Sequence, residues 1–338
     1  MSSAPAPPEN PNAKSRSLVA VLGLLAPGLG HAYIGHARRG ALFIFVPLVF
    51  LVLVTLLPRG ISVGTAIGIL GIVALTSLVA SLVDAAVVIK PARHRKLHVL
   101  PLVAFAAAPF VLPIPCMMFM RARLMQAFKV PSGAMVPSIL PGDHLFVDMR
   151  ADGGSVRRGD IIVFEFPERP EQDFIKRAIA APGDKLEVKN GHPFLNGWEV
   201  PSCKVGPWKY KEESDNAEHE GDLYVEFLER SAYLVFFDKQ ALSSEEQGPF
   251  VAKPNEWWVL GDNRNNSHDS RMWFGGEGGG VPNANIRGRA GVVWLGAPGR
   301  PGLDVGGLPV APSSELAEPL AKCLAARPSI ENATPPKP

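Results

Sequence analysis

The sequence predicts a membrane-anchored, mainly β protein, with N-terminal transmembrane helices followed by an extracytoplasmic domain of antiparallel β-sheet. Three observations lead there. Most of the long apolar runs lie before residue 121, and most of the charge lies after it. From about residue 125 to 300 the pattern changes to short alternating or apolar runs with turn signals between them. Helical periodicity is nearly absent from that later part, which favours packed antiparallel sheets.

Residues 1–16 are rich in Pro, Ala and Asn and read as a disordered tail. Residues 17–120 read as a transmembrane region of three or four helices. Its first segment, Ser17 to Ala37, is interrupted by Pro27 and by Gly23, Gly28, Gly30 and Gly35, so it reads as a weak span or a re-entrant hairpin. With Lys14 and Arg16 in front it has the outline of a cleavable targeting segment. The runs behind it argue for a lasting anchor. Ala41–Leu57, Ile61–Val83 and Leu97–Met120 are apolar or uncharged over lengths near the roughly 20 residues that a bilayer core requires. Lys90, Arg93, Arg95 and Lys96 follow the second of these, whereas only Arg59 precedes it. The positive-inside rule therefore places the four-charge loop in the cytoplasm and residues after 121 outside it. Arg121, Arg123 and Lys129 run against that trend.

Residues 121–300 form the expected β domain. His144–Asp148, Ile161–Phe166, Phe174–Ile179, Lys185–Val188, Leu223–Phe227, Tyr233–Phe237, Trp257–Leu260 and Gly291–Leu295 read as strands. Asn190-Gly191 and Asn196-Gly197 are tight-turn dipeptides, because type I′ turns need positive φ at both central residues. An insertion spans about 200–246, and 301–338 is a Pro/Ala-rich tail that lies on the surface or is disordered.

Charge excludes some functions. With 34 Lys+Arg against 32 Asp+Glu and no basic block interleaved with aromatics, there is no electrostatic footprint for nucleic acid. Cys116, Cys203 and Cys323 lie far apart with no CxxC or Cys/His spacing, which argues against a metal site or a disulfide framework. The run Gly275 to Gly280 lacks a following Lys-Ser/Thr, so it is a flexible loop rather than a phosphate cradle.

Three stretches carry the chemistry. The first is Pro131-Ser132-Gly133-Ala134-Met135-Val136-Pro137-Ser138, closed by Gly142-Asp143. The second is Arg158-Gly159-Asp160 with Phe174-Ile175-Lys176-Arg177-Ala178 and Pro182-Gly183-Asp184. The third runs from Gly261-Asp262-Asn263-Arg264 through Ser267-His268-Asp269-Ser270-Arg271 to Asn285-Ile286-Arg287-Gly288-Arg289. Each alone is a turn-rich strand ending. All three in this order, behind apolar spans, resemble the type I signal peptidase family of Ser/Lys membrane serine peptidases, over roughly residues 125–295.

The residue types suit that chemistry. A hydroxyl is a poor nucleophile at neutral pH unless a base lies within hydrogen-bond reach. A lysine can be that base when desolvation lowers its pKa. Alternation puts Lys176 on one strand face with Phe174 and Ala178, and Arg177 on the other. The resemblance implies Lys176 as general base, Ser132 and the N–H of residue 134 as oxyanion donors, and Ser267 as the hydroxyl that orients the lysine. It implies supporting roles for Asp262, Arg264, Asp269 and Arg271. No metal or cofactor is required. The implied partners are signal peptides of exported preproteins, bound as an added β-strand, and membrane lipid. Contact with the export machinery is left open. The implied location is the cell (inner) membrane, multi-pass, with the catalytic domain outside the cytoplasm.

One residue departs from the pattern. The family's nucleophilic serine falls at Ala134, which has no oxygen. Three readings follow: Ser132 or another nearby hydroxyl attacks; the chain is an inactive homologue that binds signal peptides or acts as an adaptor; or alanine replaced a native serine. Two residues apart in a strand are about 6.6 Å apart, so rescue by Ser132 requires a bulge or turn at Gly133. A self-cleaving repressor shares the Ser/Lys pair, but the spans and the lack of a DNA-binding helical region oppose that reading.

Overall fold

The computed structural model describes residues 16–55, 63–85, 99–111, 114–115, 118, 121, 123–211, 217–239 and 246–338. Two compact units divide the chain, Met1–Leu124 and Met125–Pro338.

The first unit holds α1 (Arg16–Leu25), α2 (Leu29–Tyr33), α3 (Ala37–Thr55), α4 (Val63–Val83) and α5 (Val99–Val111). The glycines of its first segment have a packing reason. A Cβ on Gly28 would lie 2.6 Å from the Gly40 carbonyl oxygen, and one on Gly30 would lie 2.5 Å from that of Val19. Bare backbone at these positions lets α2 nest against α1 and α3. A buried His31 bonds Asp84 at 2.9 Å, and Arg39 holds the other oxygen of Asp84 at 2.7 Å. Among the described residues no helix is long and apolar enough to cross a membrane. The loop with Lys90, Arg93, Arg95 and Lys96, on which orientation rests, lies outside the described residues, as do Arg59 and most of the N-terminal tail.

The second unit is built of antiparallel sheet. Its strands are β1 (Met125–Lys129), β2 (His144–Asp148), β3 (Ile161–Phe166), β4 (Arg169–Ala180), β5 (Lys185–Lys189), β6 (His192–Leu195), β7 (Trp198–Glu199), β8 (Ser202–Lys211), β9 (Glu218–Leu228), β10 (Ser231–Asp238), β11 (Gln247–Val251), β12 (Glu256–Leu260), β13 (Val281–Pro282) and β14 (Ile286–Leu295). Seven of them form the main sheet in the order β1-β2-β14-β3-β4-β12-β13. The insertion contributes a second sheet, β10-β9-β8, and a third has the order β11-β5-β6-β7. Every run expected as a strand lies within one of these. The two Asn-Gly turns close hairpins whose flanking pairs are Lys189↔His192 and Leu195↔Trp198. All four turn residues have positive φ, from 50° to 81°.

Core packing explains where the sheets meet. Leu223, Val225 and Phe227 of β9 and Leu234 and Phe236 of β10 share one buried cluster with Val136 of the first motif. Ile179, Leu260 and Val235 belong to another. The insertion is thus part of the domain's interior.

Of the two alternatives for the tail the structure has the surface-lying one, and the expectation against a disulfide is corrected. Residues 301–338 are ordered: they include α6 (Ala317–Ala325), whose Leu320 and Cys323 join the β9–β10 cluster, and Ala333 is fully buried. Cys203 and Cys323 form a disulfide with Cα atoms 5.7 Å apart, across 120 residues of chain. Spacing along the sequence says nothing about distance once the C-terminal segment folds back on β8. Cys116 lies outside the described residues. Closing so long a loop restricts the unfolded chain, so Cys203→Ser with Cys323→Ser is expected to cost roughly 2–4 kcal/mol in denaturant unfolding under non-reducing conditions. Unchanged stability, or both thiols found free on non-reduced peptide mapping, contradicts the pairing.

Candidate active site

The first motif leaves β1 as an exposed, extended Ser132 (φ −127°, ψ 158°) and then tightens into a 3-10 turn over Gly133–Met135. Met135 is buried in the core with Ile139, Leu145 and Ile161, which anchors the turn from behind. From the far side Asn263 holds it by two bonds. Its backbone N–H donates to Ala134 O at 3.1 Å, and its Nδ2 donates to Gly133 O at 3.1 Å. Gly261 must be bare: a Cβ there would lie 2.1 Å from Ser267 Oγ and 2.6 Å from Ala134 O. Ser267 and residue 134 therefore approach each other across the end of β12. Ser267 Oγ is buried and has no hydrogen-bond partner among the described residues.

Lys176 sits on β4, paired with Ile162 of β3, and β4 packs against the 133–135 turn. It is 4% exposed. Its Nζ lies 5.3 Å from the Phe174 ring centroid and donates to the backbone oxygen of Ile175 at 3.2 Å, with no bond to Ser267. Burial lowers its pKa from 10.5 to about 8; Asp269 and Asp262 pull the value back up, and Arg271 adds to the lowering. An amine in that range is half neutral near pH 8 and can accept a proton from a hydroxyl.

Ion pairs wall the site. Arg177, on the opposite face of β4, makes a bidentate pair with Asp262 at 2.7 and 2.6 Å and stacks over Tyr233. It also donates to Ser138 Oγ at 3.2 Å, just past the turn. Asp269 pairs with Arg271 at 2.8 Å and accepts the Gly261 N–H at 2.9 Å. Burial opposes ionisation of Asp269, but Arg271, the Gly261 N–H and Lys176 together hold the carboxyl below its ordinary value. Arg264 pairs with Glu226 of β9, both bonds 2.5 Å, and donates to Gly191 O. Burial likewise opposes ionisation of Glu226, and Arg264 and His192 together hold it low.

The structure thus brings Ala134, Lys176 and Ser267 to one end of the β4–β12 pair, with the exposed Ser132 at the start of the turn. Asp269 and Arg271 are partners of each other. Asp262 and Arg264 are not, because each finds its counter-ion on another strand. Sequence reasoning missed Arg177 and Glu226 as those partners. A lone glutamate inside the apolar run Leu223–Phe227 was the available signal for Glu226. It also missed Asn263, which stood inside the third motif with no role.

A desolvated lysine on an antiparallel sheet thus lies beside a turn and a serine whose hydroxyl is buried. The family model for signal peptidase, peptidase S26, matches residues 102–295, and the chain belongs to that family. Signal peptidase I of Pseudomonas aeruginosa is 30% identical over 227 residues, covering 62% of this chain and 78% of that protein. Signal peptidase I of Aquifex aeolicus is 32% identical over 209 residues, covering 54% and 80%. That of Buchnera aphidicola is 27% identical over 234 residues, covering 54% and 74%.

Two stability outcomes separate the roles. A pKa depressed by this much means that the charged amine is penalised, by roughly 3 kcal/mol. Lys176→Met is therefore expected to leave Tm at pH 7 unchanged or raised; a drop of several degrees contradicts the assignment of a strained, functional lysine. Glu226→Ala strands the buried Arg264 charge and is expected to cost about 3–5 kcal/mol by denaturant unfolding, whereas a neutral result shows that the pair is dispensable.

Proposed function

We propose that this chain is a signal peptidase of the Ser/Lys type, a serine endopeptidase that removes N-terminal signal peptides from exported preproteins. The observation that carries the reading is Lys176: a buried amine brought to about pKa 8 beside the 133–135 turn and a Ser267 hydroxyl with no partner among the described residues. Neutral Lys176 takes the proton of the attacking hydroxyl. The hydroxyl oxygen adds to the scissile carbonyl, and the developing oxyanion is met by the backbone N–H of residue 134. The lysine then returns its proton to the departing amine, and water hydrolyses the acyl ester by the reverse sequence.

Ala134 supplies no oxygen, so in this chain the attacking hydroxyl is assigned to Ser132. The 3-10 turn at Gly133 supports this, because its rise of about 2.0 Å per residue draws positions 132 and 134 closer than a strand does. Supporting positions are Asp262, Arg264, Asp269 and Arg271, which fix the loop that carries Ser267. The uncharged runs before residue 121 support the reading of a multi-pass inner-membrane protein in contact with lipid. The disulfide supports an extracytoplasmic catalytic domain, where oxidised thiols persist. That location is compatible with contact with the export machinery.

Ala134 itself favours a second reading, an inactive homologue that holds signal peptides without cutting them. Cleavage of a synthetic preprotein by the purified full chain in detergent decides between the two. The first reading expects slow cleavage, abolished by Ser132→Ala and by Lys176→Ala. Ala134→Ser is expected to raise it by several orders of magnitude, toward the roughly million-fold that a serine nucleophile contributes in subtilisin. No cleavage until Ala134→Ser is made favours the binding protein, and no cleavage in either sinks the peptidase reading. Because the base is the neutral amine, kcat/KM should rise with pH through about 8, from near a tenth of its plateau at pH 7. A flat profile from pH 7 to 9 removes Lys176 from the role of base.

A further inference from the structure

The insertion carries a polar chain that ends on the active-site turn. Tyr210, the penultimate residue of β8, is 8% exposed and stacks at 10° on His219, with ring centroids 4.8 Å apart. His219 Nδ1 bonds Asp238 Oδ2 at 2.6 Å, at the end of β10. The Tyr210 hydroxyl accepts one N–H of the Asn263 side chain at 3.1 Å, and the other N–H goes to Gly133 O, also at 3.1 Å. Both donors of that amide are therefore spent, one on the insertion and one on the turn. β10 clamps the same residue from outside: Phe236 N–H donates to Asp262 O at 2.8 Å, and Arg264 N–H donates to Phe236 O at 2.9 Å.

Peptide planarity makes this more than a brace. In a trans peptide the C=O of one residue and the N–H of the next lie in one plane and point in opposite directions. Holding Gly133 O with Asn263 Nδ2 therefore fixes the direction of the Ala134 N–H. Holding Ala134 O with the Asn263 backbone N–H fixes that of Met135 in the same way. The first of these amides is the oxyanion donor in the proposed mechanism.

We propose that Tyr210 and Asn263 are positioning residues: the insertion sheet, through Tyr210 and the amide of Asn263, aims the residue-134 N–H at the substrate's oxyanion. The proposal rests on the peptidase reading for its catalytic consequence, but its structural content does not. A removed oxyanion donor typically costs about 10²–10³ in kcat, so a misaimed one costs a fraction of that.

Two measurements test it. Tyr210→Phe keeps the ring and its stacking and deletes only the hydroxyl; Asn263→Asp keeps the shape and replaces the donors with acceptors. Hydrogen–deuterium exchange on the full chain, with Ala134 in place, should show roughly tenfold faster exchange in the peptide spanning 131–140 for both variants. Peptides from β2, β3 and β14 should be unchanged. Equal exchange in 131–140, or faster exchange throughout the unit, overturns the proposal whether or not the chain cleaves. In the Ala134→Ser background, adding Tyr210→Phe should lower kcat roughly tenfold at unchanged KM. A change in KM alone, or none, overturns the catalytic assignment. An Ala134→Ser chain that cleaves nothing counts against the peptidase reading, and the exchange result alone then decides whether the turn is positioned in this way.

Discussion

Taking the Lys176 amine out of water is unfavourable, and much of the surrounding domain is arranged around that fact. The neighbours of Lys176 are the Phe174 ring, the backbone of its own strand and the 133–135 turn. The two carboxylates close enough to raise its pKa, Asp269 and Asp262, are each committed to an arginine. Their charge is largely neutralised before it reaches the lysine, so burial prevails and the amine can lose its proton at accessible pH. Were either arginine absent, the freed carboxylate would hold the proton on Lys176 more tightly.

The same ion pairs explain why the site needs an interior insertion. Each is buried, and a buried charge is tolerated only with a well-placed counter-ion and further hydrogen bonds. Arg264 cannot find one in its own loop, because Asp262 is taken by Arg177 and Asp269 by Arg271. Glu226 on β9 supplies it. The insertion therefore supplies the counter-ion for the 261–271 loop, and the same sheet delivers Tyr210 to Asn263. Cys203–Cys323 then ties α6 to β8, so the chain's last segment closes over the sheet on which this network stands.

Much of this was legible in the residues. Alternating or short apolar runs identified the strands: β2 alternates toward the core, whereas β3, β10 and β12 are buried at nearly every position. Asn190-Gly191 and Asn196-Gly197 marked their hairpins because few other dipeptides accept positive φ twice. The face-sharing of Phe174, Lys176 and Ala178 anticipated the burial of the amine. What stayed hidden depends on contacts distant in sequence. The Arg264–Glu226 pair spans 38 positions, Arg177–Asp262 spans 85, and the disulfide spans 120. No local pattern encodes which of several charged residues will meet. For the tail after Pro301, Pro and Ala left surface-lying and disordered readings open, because the surface it packs on, the β9–β10 cluster, is remote in sequence.

Catalysis of this kind requires an amine that is buried but able to be neutral, and that property can be read without any substrate. The most direct measurement is an NMR titration of the Lys176 side chain in the full-length protein, with its resonance assigned by loss in Lys176→Met. A midpoint near 8 is expected. A midpoint near the ordinary 10.5 would show a fully solvated or charge-paired lysine, and the site as described would lose its base.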